Sequence, residues 1–314
     1  MRESIDHILR EVKKVVIGKD DVACKVLMAI LAPGHVLMED VPGVGKTTLS
    51  VAFARTLDLD VKRVQFTSDT VPSDVIGISV LDKKTGEFEY KPGAIMTNVL
   101  LADEINRTSS KTQSSLLEAM EERNVTVDGV TRPLPSPFIV LATQNPVGSA
   151  GTQMLPNSQL DRFIIRISME YPDFKSQVNI LKDRHQSNPL DSVERVVNRK
   201  TLMEIINVVG QVHTADSIFE YVTALTEATR KHPMISLGVS PRGALALCRM
   251  ARAKAYLSGR DYVIPEDVEA IVPDVYGHRL ILNSKARFNE ASTNDILAEI
   301  LKQVPMPVLT SDQR

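Results

Sequence analysis

The sequence predicts an α/β fold: a parallel sheet between layers of helices, interrupted by two β-hairpin inserts and followed by an all-helical domain. Three observations carry this expectation. Short apolar runs alternate with helical patterns through the first half. A glycine-rich loop lies between one such run and the helix after it. Beyond Tyr171-Pro172 the strand signals stop and amphipathic helical patterns take over.

Taken in order, residues 20–31 place Val22, Val26, Leu27, Ile30 and Leu31 on one helical face. Residues 35–39 read as a buried strand and 46–57 as a helix, while 61–66 alternate as a strand does. Residues 98–102 form a second buried strand, and 111–122 an amphipathic helix with Leu116, Leu117 and Met120 inward. Residues 138–142 and 163–167 supply two more apolar strands. Two segments break the rhythm. Residues 77–95 read strand, turn, strand around Lys84-Thr85-Gly86, and residues 124–134 read as a hairpin turning at Asp128-Gly129. Helices are expected over 173–184, 200–212, 217–231, 242–257 and 265–275. Asp173, Thr201, Ser217 and Ser240 are candidate N-caps, and Pro241 and Pro265 suit first turns. The tail from Pro305 has the composition of a frayed end.

The chain has 314 residues, 43% hydrophobic and 24% charged, with a net charge of −2. That is enough to bury a core without disulfide or metal staples. The charge argues against a protein whose main task is neutralising nucleic-acid phosphates. Cys24 and Cys248 lie in apolar helical stretches and read as buried reduced thiols, which fits a cytoplasmic protein. The first residues lack the apolar core of a signal peptide, and no window has the length and apolarity to span a membrane.

Four features carry chemistry. In Asp40-Val41-Pro42-Gly43-Val44-Gly45-Lys46-Thr47 the glycines let backbone N–H groups curl inward at a helix N-terminus, where they cradle phosphates. Lys46 is placed to reach the β- and γ-phosphates of ATP, and Thr47 to hold Mg²⁺. The usual pattern begins with glycine, and here that position is Asp40. The strand ending in Ala102-Asp103-Glu104 delivers two acids where an open α/β sheet binds ligands. Asp103 is the candidate metal acid and Glu104 the group that polarises the attacking water, although a strand ending in two solvated acids is also common. At the end of the strand over 138–142, Asn145 is the candidate water-orienting or γ-phosphate-sensing side chain; the alternative is a turn residue before Pro146. Arg162 and Arg242 are candidates to meet the γ-phosphate in transit. On the residues alone, each also reads as a surface charge or a partner of Asp161 or another acid.

In this order and spacing the features resemble the AAA+ ATPases and, more narrowly, the MoxR family. The residues carrying the resemblance are Glu39 to Thr47, Leu101-Ala102-Asp103-Glu104-Ile105-Asn106-Arg107, Leu117-Glu118-Ala119-Met120, Ala142-Thr143-Gln144-Asn145-Pro146, Gln159-Leu160-Asp161-Arg162-Phe163 and Ser240-Pro241-Arg242. Asp40 is itself similar to what this family tolerates. The resemblance implies a P-loop core over residues 1–198, including a connecting helix, and an all-α lid over 199–314. It implies that Pro42, Gly43, Val44, Gly45, Lys46, Thr47 and Thr48 hold ATP, that Thr47 and Asp103 serve Mg²⁺, and that Ile17 and Gly18 pack near adenine. It further implies sensor 1 at Asn145, sensor 2 at Arg242 and an arginine finger at Arg162. On that pattern Lys46 and Arg242 act on one chain's nucleotide and Arg162 on a neighbour's. The hairpins match inserts that face the pore of ring-shaped relatives. A hexameric chaperone-like remodeller of protein clients, with von Willebrand factor A domain proteins as partners, is the resulting expectation. Two alternatives remain: a nucleic-acid-dependent motor or loader, supported only by Lys83, Lys84 and Lys91 near the first hairpin, and an ATP switch with incidental hydrolysis.

Overall fold

The computed structural model describes residues 2–39, 43–144, 155–184 and 189–308. The strands are β1 (Val36–Glu39), β2 (Val61–Gln65), β3 (Gly77–Leu81), β4 (Phe88–Pro92), β5 (Val99–Asp103), β6 (Asn124–Val127), β7 (Val130–Pro133), β8 (Ile139–Gln144), β9 (Ile165–Ile167), β10 (Ile235–Leu237) and β11 (Ile281–Leu282). Five of them form one sheet in the order β2-β5-β8-β1-β9, and every pairing in it is parallel. Side chains alternate across its two faces. Val36 and Met38, Val99 and Leu101, and Ile139 and Leu141 enter one core layer, whereas Leu37, Leu100, Ala102, Val140 and Ala142 enter the other. Burial on both faces explains why these strands read as continuous apolar runs.

The first layer packs against α1 (Arg2–Val15), α2 (Asp20–Leu31) and α3 (Lys46–Thr56); the second against α4 (Pro72–Ile76) and α5 (Ser110–Glu122). The two hairpins stand apart from the main sheet as β3-β4 and β6-β7. In the second, Asp128 and Gly129 have φ of 52° and 75°. Two consecutive left-handed residues make the tight turn whose twist matches its flanking strands.

The later helices are α6 (Asn157–Leu160), α7 (Phe174–Arg184), α8 (Arg199–Gly210), α9 (Asp216–Lys231), α10 (Pro241–Leu257), α11 (Pro265–Glu269), α12 (Val272–Tyr276), α13 (Ser284–Phe288) and α14 (Thr293–Gln303). Several expectations need correction here. The lid is not purely helical, because β10 and β11 pair antiparallel within it. The helix expected over 265–275 is two short ones, and Pro273, which cannot donate to a preceding turn, falls at the start of the second. Asn198, not Thr201, caps α8, and Ala215 rather than Ser217 precedes α9. Ser240 caps α10 as expected, accepting from the Gly243 N–H. Cys24 and Cys248 are free but half-buried rather than buried. Among the described residues no helix is long and apolar enough to cross a membrane.

Candidate functional site

β1 lies between β8 and β9, and from it the chain crosses to β2 at the far edge of the sheet. The carboxyl ends of such strands open a crevice that binds ligands. The loop after β1 enters α3 there. Gly45 precedes α3 with φ of 102°, a conformation that favours glycine, and Gly43 has φ of 86°. The first turn of α3 holds no acidic residue, so the positive end of its dipole faces the crevice uncompensated. Asp40, Val41, Pro42 and Asn145 lie outside the described residues.

Gly43, Gly45, Lys46, Thr47 and Thr48 form one wall of a cavity of about 260 Å³, and Arg63, Gln65, Asp103, Glu104 and Thr143 form the other. Asp103 ends β5 with 7% of its surface exposed. Its Oδ2 accepts a hydrogen bond from Arg63 Nε at 2.7 Å, and Oδ1 accepts from the Thr143 hydroxyl at 3.4 Å. Glu104 adopts φ of 57° and ψ of 46°, a left-handed conformation costly for a side-chain-bearing residue. Its N–H donates to Thr143 Oγ1 at 2.8 Å, while its Oε2 accepts from Gln65 Nε2 at 2.7 Å and Arg107 at 2.8 Å. The two acids are thereby held apart, each by its own donors. Sequence reasoning missed Arg63, Gln65 and Thr143. The period-2 placement of Arg63 and Gln65 puts both on one face of β2, and the register setting Gln65 beside Asp103 brings them to the acids.

A second cavity of about 260 Å³ shares Gly43, Gly45 and Thr48 with the first. Val15, Val16, Ile17, Val44, Tyr171 and Ile180 give it mainly apolar walls, suited to a flat aromatic base. Ile17 is one of its lining residues. Gly18 does not line this cavity; it backs α7. With φ of 72°, any Cβ it carried would fall 2.2 Å from Ser176 Oγ.

Arg162 and Arg242 lie elsewhere. Both line a separate cavity of about 400 Å³ beside Gly34, His35 and Ile164, which precede β1 and β9 at the amino ends of the strands. That is the opposite end of the sheet from Asp103. The structure therefore leaves a separation between Arg242 and Lys46 of the same chain. Its physical cause is the docking of α10: Ser240 Oγ donates to Asp161 at 2.8 Å, and Arg242 pairs with Glu121 of α5 at 2.7 Å. Arg162 Nε is buried and unbonded among the described residues.

Residues 35–165 match the family described as "ATPase family associated with various cellular activities (AAA)", and residues 227–300 match the AAA lid domain. Protein YeaC of Bacillus subtilis is 48% identical, covering 99% of this chain and 96% of that one. Chaperone MoxR1 of Mycobacterium tuberculosis is 37% identical over 97% of this chain and 82% of its own length. A crystal structure of a Cytophaga hutchinsonii protein superposes with a TM-score of 0.91 at 39% identity, over 98% of this chain and 96% of the other.

Proposed function

The chain belongs to the MoxR family of AAA+ ATPases and is an ATP-hydrolysing enzyme, and from that premise we propose that it is a ring-forming, Mg²⁺-dependent, chaperone-like remodeller of protein clients. The observation that carries this reading is the separation of the two halves of the chemistry. Lys46, Asp103 and Glu104 meet at one end of the sheet, and Arg162 and Arg242 meet at the other. Both arginines are then supplied to the nucleotide of the next copy of the chain. A hexameric ring closes such head-to-tail contacts.

The triphosphate occupies the first cavity and the base the second. Lys46 and the N–H groups at the start of α3 hold the phosphates. Glu104 orients the attacking water through its carboxylate. A guanidinium pair from the neighbour offsets charge on the γ-phosphate as the bond breaks. The cavity suits a hard divalent cation: Thr47 and Asp103 offer oxygen donors, and the Arg63 guanidinium already stands against Asp103 as a cation. Thr47 and Asp103 would hold Mg²⁺ there, and it would supply charge neutralisation for the triphosphate.

The hairpins β3-β4 and β6-β7 are proposed to transmit the cycle to the client. Ile78, Leu81 and Phe88 of the first are exposed, as a surface for unfolded apolar segments requires. Partners with a von Willebrand factor A domain are proposed from the family resemblance.

The experiment is a pair of variants measured in two assays. Lys46→Ala is expected to abolish binding of a fluorescent ATP analogue, and Glu104→Gln to retain binding and lose turnover. Sedimentation velocity with Mg²⁺-ATP is expected to show an assembly larger than a dimer. A monomer under these conditions with full turnover overturns the ring. Affinity capture on Glu104→Gln with ATP then identifies the client and any von Willebrand factor A domain partner.

A further inference from the structure

Arg63 is the one guanidinium that reaches Asp103 among the described residues, and no step of the hydrolysis above uses it. It lies on β2, the edge strand of the sheet. Charges on an edge strand ordinarily keep it from pairing with another chain. Arg63 instead turns inward: its Nε donates to Asp103 Oδ2 at 2.7 Å, and its NH2 reaches Gln65 Oε1 at 3.5 Å. The exposures of the two partners are unequal. The Asp103 side chain is 10% exposed and that of Arg63 is 55% exposed. The acid is fixed at the bottom of the cavity, with Thr143 as its second donor, and the cation covers it from the open side.

We propose that Arg63 is a positioning residue that competes with the divalent cation for Asp103, so that metal entry and the release of Arg63 are one exchange. This rests on the reading of the cavity as an Mg²⁺-nucleotide site. The physical argument has two parts. Asp103 is nearly buried, and a buried carboxylate without a partner is costly. Guanidinium stays charged at every accessible pH, so the metal-free site is never left with a bare acid. The covering bond is nevertheless weak enough to give way, because one partner is half in solvent and its charge is screened. A buried arginine in its place would shut the metal out; a neutral residue would leave Asp103 uncompensated between turnovers. Lys62, the preceding residue, points to the other face of β2 and donates to the Gly93 carbonyl at 3.4 Å, so it cannot substitute.

The test titrates Mg²⁺ into the full-length protein held with a saturating fluorescent ADP analogue and follows the metal-dependent change in fluorescence, so that no turnover enters. Arg63→Gln is expected to lower the Mg²⁺ concentration at half-change by about two- to five-fold, the range an exposed ion pair supports. Lys62→Gln is the control for general loss of positive charge on β2, since Lys62 bonds the Gly93 carbonyl and not Asp103. It is expected to leave the Mg²⁺ midpoint where it is in the wild type. An unchanged or raised midpoint in Arg63→Gln overturns the proposal, as does an equal fall in both variants. If the wild type shows no Mg²⁺-dependent nucleotide signal at all, the reading of the cavity fails instead, and the two failures are distinguishable.

Discussion

Arg279 of the lid donates through Nε to Asp161 of the core at 2.7 Å, and the pair lies directly beside Arg162. The Arg279 side chain is 2% exposed. It also donates to the carbonyls of Phe163, Asp161 and Ile164, so its whole fork is engaged at the turn before β9. Asp161 accepts from Ser240 as well, at the start of α10. One carboxylate thus fixes two lid elements to the core. Asp161→Ala leaves a buried guanidinium without its counter-charge, and the loss is expected to be about 3 kcal/mol. The measurement is the urea midpoint at neutral pH. A fall in midpoint together with a lower maximal ATPase rate is expected, because the same turn carries Arg162.

Gly18 tests how the base cavity is framed. Gly18→Ala meets two obstacles: a positive φ and a Cβ placed 2.2 Å from Ser176 Oγ. Ser176 belongs to α7, the helix whose Gln177 and Ile180 wall the cavity. Moving α7 outward is expected to cost about 1–3 kcal/mol of stability and to weaken nucleotide binding. Adding Ser176→Gly relieves the contact but not the backbone. The double variant should therefore recover part of the nucleotide affinity and only part of the stability. Equal nucleotide affinity in Gly18→Ala and wild type would argue against α7 as a wall of the base site.

Two of the buried histidines, His35 and His278, act on the acid limit of the fold. His35 Nδ1 accepts from the Val140 N–H at 3.0 Å, so Nε2 carries the proton and donates to the Met120 carbonyl at 3.1 Å. Burial, with the nearby Arg123 charge, lowers its pKa from 6.5 to about 3. Burial beside Arg279 pushes His278 well below its ordinary value too. The unfolded chain takes up these protons near pH 6.5 and the folded chain does not. The stabilisation is therefore complete above pH 6.5 and is lost as pH falls from there toward 3. For His35 the slope is about 1.4 kcal/mol per pH unit in that window, and His278 adds to it in the same direction. In urea unfolding at pH 7.5 and 5.0, wild type should lose more stability than His35→Gln, by about 2 kcal/mol. An identical pH dependence in the two proteins would show that His35 is protonated in the fold.

Legibility in the sequence followed whether a signal was local. Val99 to Asp103 and Ile139 to Gln144 announced themselves because burial on both faces leaves no polar position to obscure the run. The phosphate loop did so because backbone curvature, helix start and lysine are adjacent in the chain. The helix α1 carries a local signal as well: Ile5, Ile8, Val12 and Val15 recur at helical spacing with charged residues between them. Arg63, Gln65 and Thr143 had no local signal, since only strand register brings them to Asp103 and Glu104. The side of the sheet on which Arg242 lies had none either. It depends on how α10 docks, which Ser240, Asp161 and Glu121 decide from three distant parts of the chain.

That docking decides whose nucleotide Arg242 can serve. Arg162→Ala and Arg242→Ala should each keep ATP binding and lose turnover by about 10³-fold, the scale of a supplied arginine. Glu104→Gln should lose turnover for the opposite reason, with its arginines intact. Mixing Arg242→Ala with Glu104→Gln under conditions of subunit exchange creates boundaries with an intact pocket on one side and intact arginines on the other. At equal amounts and random order about one boundary in four has that arrangement, so the mixture should regain up to about a quarter of the wild-type rate. Were Arg242 to act within its own chain, the same mixture would stay inactive, because every pocket with Glu104 would lack Arg242. The Arg162→Ala mixture should recover in parallel. Recovery by both places the pair in the neighbouring site, whereas recovery by Arg162→Ala alone would require the lid to leave Asp161 and swing to the other end of the sheet during the cycle.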